Sequence, residues 1–276
     1  MDATTTLPTC YRHPDRETRL ACSQCGRPTC IDCVKPAPVG QKCLECSAPT
    51  GRTRVITARD IASPRSTPVS YGFLGISVAL FLIGLVIPDA GARIDFLGVQ
   101  SNAAVAAGEW YRLLTAAFLH DGPMHILFNM YALSAFGPQL ERQVGSLAFA
   151  LLYLAAAAAG GAAFYLFPQG AGFAVGASGA IFGLFGAYVA HALPARHTAA
   201  GRAGLGQLLT LLAINLALPL IIPNIAWQAH VGGLVVGFAI AWLWDRLPQR
   251  GAAATLPRAA IAGAVLLLSL AVVILA

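Results

Sequence analysis

Long apolar runs separated by short polar connections dominate the chain after residue 70. A helix needs about 20 apolar residues to cross the hydrocarbon core of a bilayer. Seven runs have roughly that length: 71–88, 124–140, 147–167, 176–194, 205–223, 227–244 and 259–276. The first run follows a long polar segment, so we do not interpret it as a cleaved signal peptide. The pattern predicts an all-α polytopic membrane protein.

Composition and charge agree with this prediction. Of the 276 residues, 57% are hydrophobic and 11% are charged, whereas soluble domains carry about 25% charged residues. No Asp or Glu occurs between Ser146 and Trp244. The positive-inside rule predicts a cytoplasmic N-terminus and an extracytoplasmic C-terminus, because arginines concentrate in alternate connections. These arginines are Arg52, Arg54, Arg59, Arg65, Arg142, Arg196, Arg202, Arg246, Arg250 and Arg258. The net charge of +6 therefore requires no nucleic-acid partner.

The polar N-terminal segment has the spacing of a metal-binding domain. Eight potential ligands form four pairs, each with two intervening residues: Cys10 and His13, Cys22 and Cys25, Cys30 and Cys33, Cys43 and Cys46. Eight ligands suffice for two tetrahedral zinc sites. A disulfide framework is disfavoured because the cysteines number seven and the predicted compartment is reducing. Such a short segment has little core, so metal would supply most of its folding energy.

This spacing resembles that of B-box-type zinc fingers. The resemblance implies interleaved pairing, in which the first and third pairs bind one zinc ion and the second and fourth bind the other. Members often have histidines in the fourth pair, where this chain has cysteines. Protein ligands fill every position of the predicted sites, so we expect the zinc to be structural. Residues 49–70 are expected to form a basic linker that faces anionic lipid. We also expect the domain to have a cytoplasmic protein partner.

Four polar residues within the predicted spans are candidates for chemistry, since such residues are costly in a membrane. They are His125 and Asn129 in the second span, Ser178 in the fourth and His230 in the sixth. All three spans enter from the predicted outer side, which places the four side chains at similar depth. His125 and Asn129 are four residues apart and share one helix face.

A serine becomes a nucleophile when a base accepts its proton, and His230 can serve. The region supplies no carboxylate to orient the ring, which predicts a dyad, with Phe182 stacking against His230. Donors for an oxyanion would be the Ser178 backbone N–H, His125 and Asn129. Small residues would let the two helices approach closely: Gly179 and Gly183 on one, Gly233 and Gly237 on the other.

Several motifs together resemble the rhomboid family of intramembrane serine proteases: "EWYRLLTAAFLH", "HILFN", "LERQVG", "GASG" and "AHVGG". The resemblance covers roughly residues 70–245. It implies that Ser178 is the nucleophile and His230 the general base, and that His125 and Asn129 are oxyanion donors. It also implies a rhomboid-like bundle of 6+1 spans, with substrates that are single-pass membrane proteins cut near the outer face.

The resemblance assigns structural roles as well. Arg112 falls on the arginine of a Trp-Arg pair in the first loop, with Tyr111 at the tryptophan position. Glu141 and Arg142 match a cytoplasmic Glu-Arg motif. Phe182 stands where many members have tyrosine. We further expect His120 to be a hydrogen-bonded structural residue.

We therefore divide the chain into a zinc-binding domain (1–48), a linker (49–70), a protease core (71–245), and a linker with a seventh helix (246–276). No metal is expected in the cleavage step. An alternative is an inactive rhomboid-like protein that binds membrane clients, although such a protein is expected to lack the serine or the histidine. A proton-coupled transporter would favour buried carboxylates, which the spans lack.

Overall fold

The computed structural model describes residues 7–37, 40–47, 66–168, 172–222, 225–247 and 252–276, without the side chains of 252–254. The chain divides into two compact units, Met1–Pro64 and Arg65–Ala276. Most of the linker predicted at 49–70 lies outside the described residues, as do four of the arginines used for orientation and Arg250.

The N-terminal unit contains two small antiparallel hairpins and one short helix. Its elements are β1 (Thr9–Cys10), β2 (His13–Glu17), β3 (Val34–Pro36), β4 (Gln41–Cys43) and α1 (Leu44–Ser47). Strand β1 pairs with β2 and β3 pairs with β4. Between the hairpins, Gly26 adopts a φ of 72° and donates its N–H to the carbonyl of Cys22 at 2.8 Å. Glycine favours this left-handed turn because it has no Cβ.

The second unit is a helical bundle whose connections contain short helices and one pair of short strands. Its helices are α2 (Pro68–Val86), α3 (Pro88–Gly98), α4 (Asn102–Ala106), α5 (Arg112–Thr115), α6 (Pro123–Val144), α7 (Ser146–Leu166), α8 (Ser178–Ala192), α9 (Ala199–Ala217), α10 (Trp227–Trp244) and α11 (Ala252–Ile274). Two short strands, β5 (Gln100–Ser101) and β6 (Phe173–Ala174), pair antiparallel. Each of the seven predicted apolar segments thus overlaps one of these helices.

Within the described residues, six helical stretches are long and apolar enough to cross a membrane: Pro68–Val86, Ser146–Leu166, Ser178–His197, Ala199–Leu220, Trp227–Trp244 and Thr255–Ile274. The predicted span at 124–140 is not among them. Helix α6 covers it and is 22 residues long, but His125, Asn129, Glu141 and Arg142 make it more polar than the others. The all-α polytopic class is confirmed.

Helices α8 and α10 are in backbone contact through glycines. A Cβ added at Gly233 would overlap the carbonyl oxygen of Gly179, and one added at Gly237 would overlap that of Gly183. Helix α7 lies beside both, and most of its residues are buried. Close backbone approach of this kind lets tight packing replace the missing hydrophobic drive between membrane helices.

Glu141 ties together the starts of two helices near the C-terminal end of α6. It is 1% exposed. Its carboxylate accepts hydrogen bonds from the backbone N–H groups of Val69 (3.1 Å) and Ser70 (2.8 Å). The hydroxyls of Ser70 (2.7 Å) and Ser146 (2.6 Å) also donate to it. Glu141 therefore satisfies backbone donors at the start of α2 that would otherwise lack partners, and reaches the first residue of α7.

Candidate active site and metal clusters

Ser178 is the first residue of α8, and His230 lies in the first turn of α10. Because the glycine contacts bring these two helices together, the side chains meet. Ser178 Oγ lies 2.9 Å from His230 Nε2, within hydrogen-bond distance. Ser178 is partly exposed, whereas His230 is 7% exposed. The arrangement places a hydroxyl next to a ring nitrogen that can accept its proton.

Packing orients the His230 ring. The ring of Phe182 stacks on it with centroids 4.2 Å apart and an interplanar angle of 8°. The other ring nitrogen, Nδ1, is buried and has no hydrogen-bond partner among the described residues. Within those residues, the site therefore contains a serine-histidine pair without a carboxylate behind the histidine. If Nε2 accepts a proton from Ser178, the neutral ring must carry its proton on Nδ1.

His125 and Asn129, both on α6, lie beside the segment that leads into Ser178. A Cβ added at Gly176 would lie 2.5 Å from His125 Nε2 and 3.6 Å from Asn129 Nδ2. Gly176 also has a φ of 119° and donates its N–H to the carbonyl of Ala116 at 2.9 Å. The Asn129 amide nitrogen is buried and without a partner among the described residues. It is therefore a hydrogen-bond donor available to a group that enters the site.

Two features of this region were not predicted from the sequence. His120 was expected to be hydrogen-bonded, but both of its ring nitrogens are buried without a partner in the described part of the chain. Its ring instead contacts that of His125 edge to face, with centroids 5.2 Å apart. The close approach of Gly176, the first residue of the motif "GASG", to His125 was also not predicted. A glycine that stands two residues before the serine, at the start of a predicted helix, was the available signal. Such a glycine can mark a backbone position at which no side chain fits.

Arg112 fixes the connection between α3 and α5. It is 5% exposed and donates from Nη1 to the Val99 carbonyl (2.8 Å) and from Nε to Glu109 (2.7 Å). Tyr111 donates its hydroxyl to the same carboxylate at 2.8 Å. These hydrogen bonds, from Tyr111 and then Arg112, hold the pKa of the Glu109 carboxyl below its usual value. The carboxylate therefore stays charged and keeps Arg112 paired in this loop.

In the N-terminal unit the eight predicted ligands form two clusters. The first, cluster one, contains Cys10, His13, Cys30 and Cys33; the second, cluster two, contains Cys22, Cys25, Cys43 and Cys46. Within each cluster the ligand atoms all lie within 4.8 Å of one another. None of the seven cysteines is in a disulfide. This grouping is the interleaved pairing expected from the B-box resemblance.

The distances within the clusters suit a tetrahedral metal. His13 Nδ1 lies 3.3 Å from Cys30 Sγ, 3.4 Å from Cys33 Sγ and 3.9 Å from Cys10 Sγ. Zinc bonds of about 2.3 Å to sulfur and about 2.0 Å to nitrogen imply ligand separations of roughly 3.5–3.8 Å. In cluster two, Cys25 Sγ and Cys43 Sγ are 3.9 Å apart. Both clusters could therefore hold a metal ion.

Comparison with known proteins places the bundle in a family. A rhomboid domain matches residues 107–246. Rhomboid protease GluP of Bacillus subtilis (strain 168) is 36% identical over 211 residues, which are 74% of this chain and 39% of GluP. Putative rhomboid protease YdcA of the same organism is 40% identical over 149 residues, 54% of this chain and 74% of YdcA.

RHOMBOID-like protein 6, mitochondrial, of Arabidopsis thaliana is 37% identical over 164 residues, 59% of this chain and 53% of that protein. The chain therefore spans well under half the length of GluP and about half that of the Arabidopsis relative. Two of these relatives are named as rhomboid proteases, one of them putative. The chain is a multi-pass membrane protein that belongs to the rhomboid family.

Proposed function

We propose that this chain is an intramembrane serine protease that uses Ser178 and His230 as a catalytic dyad. The observation that carries the proposal is the 2.9 Å separation of Ser178 Oγ and His230 Nε2, because a serine needs a base within hydrogen-bond reach. The buried, unpartnered Nδ1 of His230 and its stacking on Phe182 support a dyad without a carboxylate.

The reaction proceeds through an acyl-enzyme. Ser178 Oγ attacks the carbonyl carbon of the scissile peptide bond while His230 Nε2 takes its proton. His230 then returns that proton to the leaving nitrogen, and the tetrahedral intermediate collapses. The amine product departs and an ester between Ser178 and the substrate carbonyl remains. Water, deprotonated by His230, then attacks the ester and releases the second product and Ser178. No step requires a metal ion.

The negative oxygen that forms in the intermediate needs donors. Ser178 begins α8, so its backbone N–H lies at a helix N-terminus, where the helix dipole favours negative charge. The Asn129 amide and the His125 ring nitrogen lie beside Gly176, two residues before the nucleophile. Their proposed role is to bind the oxyanion, for which such donors are typically worth about 10²–10³ in rate.

The proposed substrates are single-pass membrane proteins, cut near the outer membrane face. An intact helix hides its carbonyls in internal hydrogen bonds, so a substrate segment that unwinds easily is favoured. The orientation rests on the arginine distribution, which favours a cytoplasmic N-terminus.

The N-terminal unit is proposed to bind two structural zinc ions, one in each cluster. The ligand sets of three cysteines with one histidine, and of four cysteines, are those of structural zinc sites, with every position filled by protein. Its proposed role is to recruit a cytoplasmic protein partner, and it takes no part in cleavage.

The dyad is tested by cleavage of a model membrane substrate by purified variants. Ser178→Ala and His230→Ala should each reduce turnover by about 10⁴-fold or more. The matched controls are Ser134→Ala and His197→Ala, which remove the same groups outside the site and should leave turnover unchanged. Full activity of either dyad variant would refute the mechanism. An inactive wild-type chain that still binds membrane clients would favour the non-cleaving alternative.

A further inference from the structure

The two metal clusters differ in how well their sulfur ligands are protected. In cluster one, Cys10 and Cys33 are each 2% exposed and Cys30 is 6% exposed. In cluster two, Cys22 and Cys43 are equally buried, but Cys25 is exposed and Cys46 is partly exposed. Only cluster two therefore presents a thiolate that a small reagent in solution can reach directly.

The surroundings of Cys25 hold its sulfur in place and leave it open. Cys25 lies immediately before Gly26, whose positive φ forms the tight turn at this corner of the unit. Arg27 Nε donates to Cys25 Sγ at 3.4 Å, and Arg27 is itself paired with Glu45 at 2.5 Å. The sulfur of Cys43 lies 3.9 Å from that of Cys25. An exposed thiolate thus has a buried partner with which it could form a disulfide.

We propose that cluster two is a peroxide-reactive zinc site, in which Cys25 is oxidised first and the zinc ion is then released. Cluster one releases its metal much more slowly under the same conditions. This inference rests on the zinc binding proposed above, and it assigns to the N-terminal unit a response to peroxides.

The chemistry balances with hydrogen peroxide as the oxidant. The Cys25 thiolate attacks one peroxide oxygen, the O–O bond breaks, and a sulfenic acid and hydroxide form. The thiolate of Cys43 then attacks the sulfenic sulfur, forms a disulfide and expels a second hydroxide. In total, the two thiolates lose two electrons, and one hydrogen peroxide molecule accepts them and is reduced to two hydroxides. Cys22 and Cys46 would then be the only ligands left in cluster two, which are too few to hold a zinc ion.

Loss of this zinc ion would change one part of the unit more than the other. Cys43 ends β4 and Cys46 lies in α1, so cluster two anchors the C-terminal segment of the unit. His13 begins β2, and Cys30 directly precedes the short 3₁₀ helix Ile31–Cys33; both belong to cluster one. Oxidation would therefore free the segment around Cys46 from its metal anchor, while the new disulfide tethers Cys43 to Cys25 and the first hairpin remains bound to its metal.

The test uses the full chain in detergent. Zinc is first counted, and about two ions per chain are expected, one for each cluster. Hydrogen peroxide is then added and released zinc is followed with a chromogenic chelator. One zinc ion should be released at least about tenfold faster than the other, because thiolate oxidation follows exposure. Alkylation and mass spectrometry should then locate the disulfide among Cys22, Cys25, Cys43 and Cys46.

The possible failures are distinguishable. A chain without zinc before oxidation would refute the zinc proposal itself. A chain with two zinc ions that are released together, or with oxidation of Cys10, Cys30 and Cys33 first, would overturn this inference and leave zinc binding intact. Neither result bears on the Ser178 and His230 dyad.

Matched variants test the role of Cys25. Cys25→His and Cys33→His each replace one sulfur with an imidazole that can still bind zinc. Cys25→His should slow the fast release by about fivefold or more, because it removes the accessible thiolate. Cys33→His should leave the fast release unchanged. Equal slowing by both variants would contradict the proposal. If Cys25→His does not hold two zinc ions, the mass spectrometry of the wild-type chain decides.

Discussion

The two units of this chain are stabilised by different means. The buried hydrophobic residues described in the N-terminal unit are Cys10, Cys22, Cys30, Cys33 and Cys43. Tyr11 and Leu44 pack against Cys10, Cys30 and Cys33. The bundle instead buries a large set of aliphatic and aromatic side chains along α6, α7, α8 and α10. A small unit whose buried hydrophobic residues are the proposed metal ligands is expected to depend on its metal to fold. A bundle whose backbones touch depends on packing, which removal of a metal does not alter.

This difference also separates the candidate chemistries. In the bundle, the distance between the Ser178 and His230 side chains depends on the contact between α8 and α10. In the N-terminal unit, ligand geometry follows from turns and short hairpins. Metal removal should therefore affect one unit, and enlargement of a glycine at the helix contact should affect the other.

The largest effect is expected from a chelator. Structural zinc typically contributes about 10–16 kcal/mol of binding free energy, so removal of both ions should unfold residues 7–47. Hydrogen exchange followed by mass spectrometry should report loss of protection there and unchanged protection of α7, α8 and α10. Substrate cleavage should survive, both in the full chain and in residues 47–276. Chelator-sensitive cleavage by the shorter chain would contradict the account and implicate a metal in the reaction.

The converse change is Gly233→Ala, which should damage the bundle alone. Its Cβ would overlap the carbonyl oxygen of Gly179, so α8 and α10 must separate. Overpacking of this kind typically costs about 1–3 kcal/mol, and the dyad should lose its hydrogen-bond distance. The thermal unfolding temperature of the bundle and the cleavage rate should both fall, while the zinc content stays the same. Gly206→Ala is the control, since nothing lies within 4 Å of its added Cβ; equal losses in both variants would refute a specific helix contact.

A smaller effect is expected from Asn129→Ala. This change removes one of three proposed oxyanion donors, and turnover should fall by roughly 10- to 100-fold, less than for a site with fewer donors. The Michaelis constant should change little, because the donor acts on the transition state. Steady-state kinetics on a model substrate separate the two parameters. A weaker apparent affinity with unchanged turnover would assign Asn129 to substrate binding instead.

The smallest predicted effect belongs to Phe182→Leu. The stacked ring orients His230, and such aromatic contacts are worth about 0.5–1.5 kcal/mol. Turnover should fall by no more than about tenfold. Phe182→Tyr keeps the ring and should retain full activity, as measured in the same assay. Greater loss for the tyrosine variant than for the leucine variant would argue against stacking.

Long apolar runs predicted the positions of the long helices, because a bilayer demands such runs, although the helix at 124–140 is less apolar than the other six. These runs did not predict α3, which begins at Pro88 directly after α2, or the pairing of β5 with β6, since short connections have little hydrophobic pattern. The apolar run at 259–276 belongs to a helix that already begins at Ala252. The alanines at its start favour a helix although they lie before the apolar run.

The candidate site could be named from residue types and spacing, because a serine, two histidines and an asparagine are rare in apolar spans. The close contact of Gly176 with His125, and the burial of both His120 nitrogens, could not be inferred in this way. They depend on how α6 and the segment before α8 meet, which is a tertiary property. The interleaved grouping of the candidate ligands was predicted from a family resemblance, since spacing alone allows other groupings.

The most direct test of the central claim is covalent labelling of Ser178 with a fluorophosphonate probe. Such probes react with serines that a neighbouring base activates. Peptide mass spectrometry of the purified chain should place the adduct on Ser178, with labelling lost in His230→Ala and retained in His197→Ala. An active preparation in which Ser178 remains unlabelled, or one labelled equally without His230, would contradict the dyad.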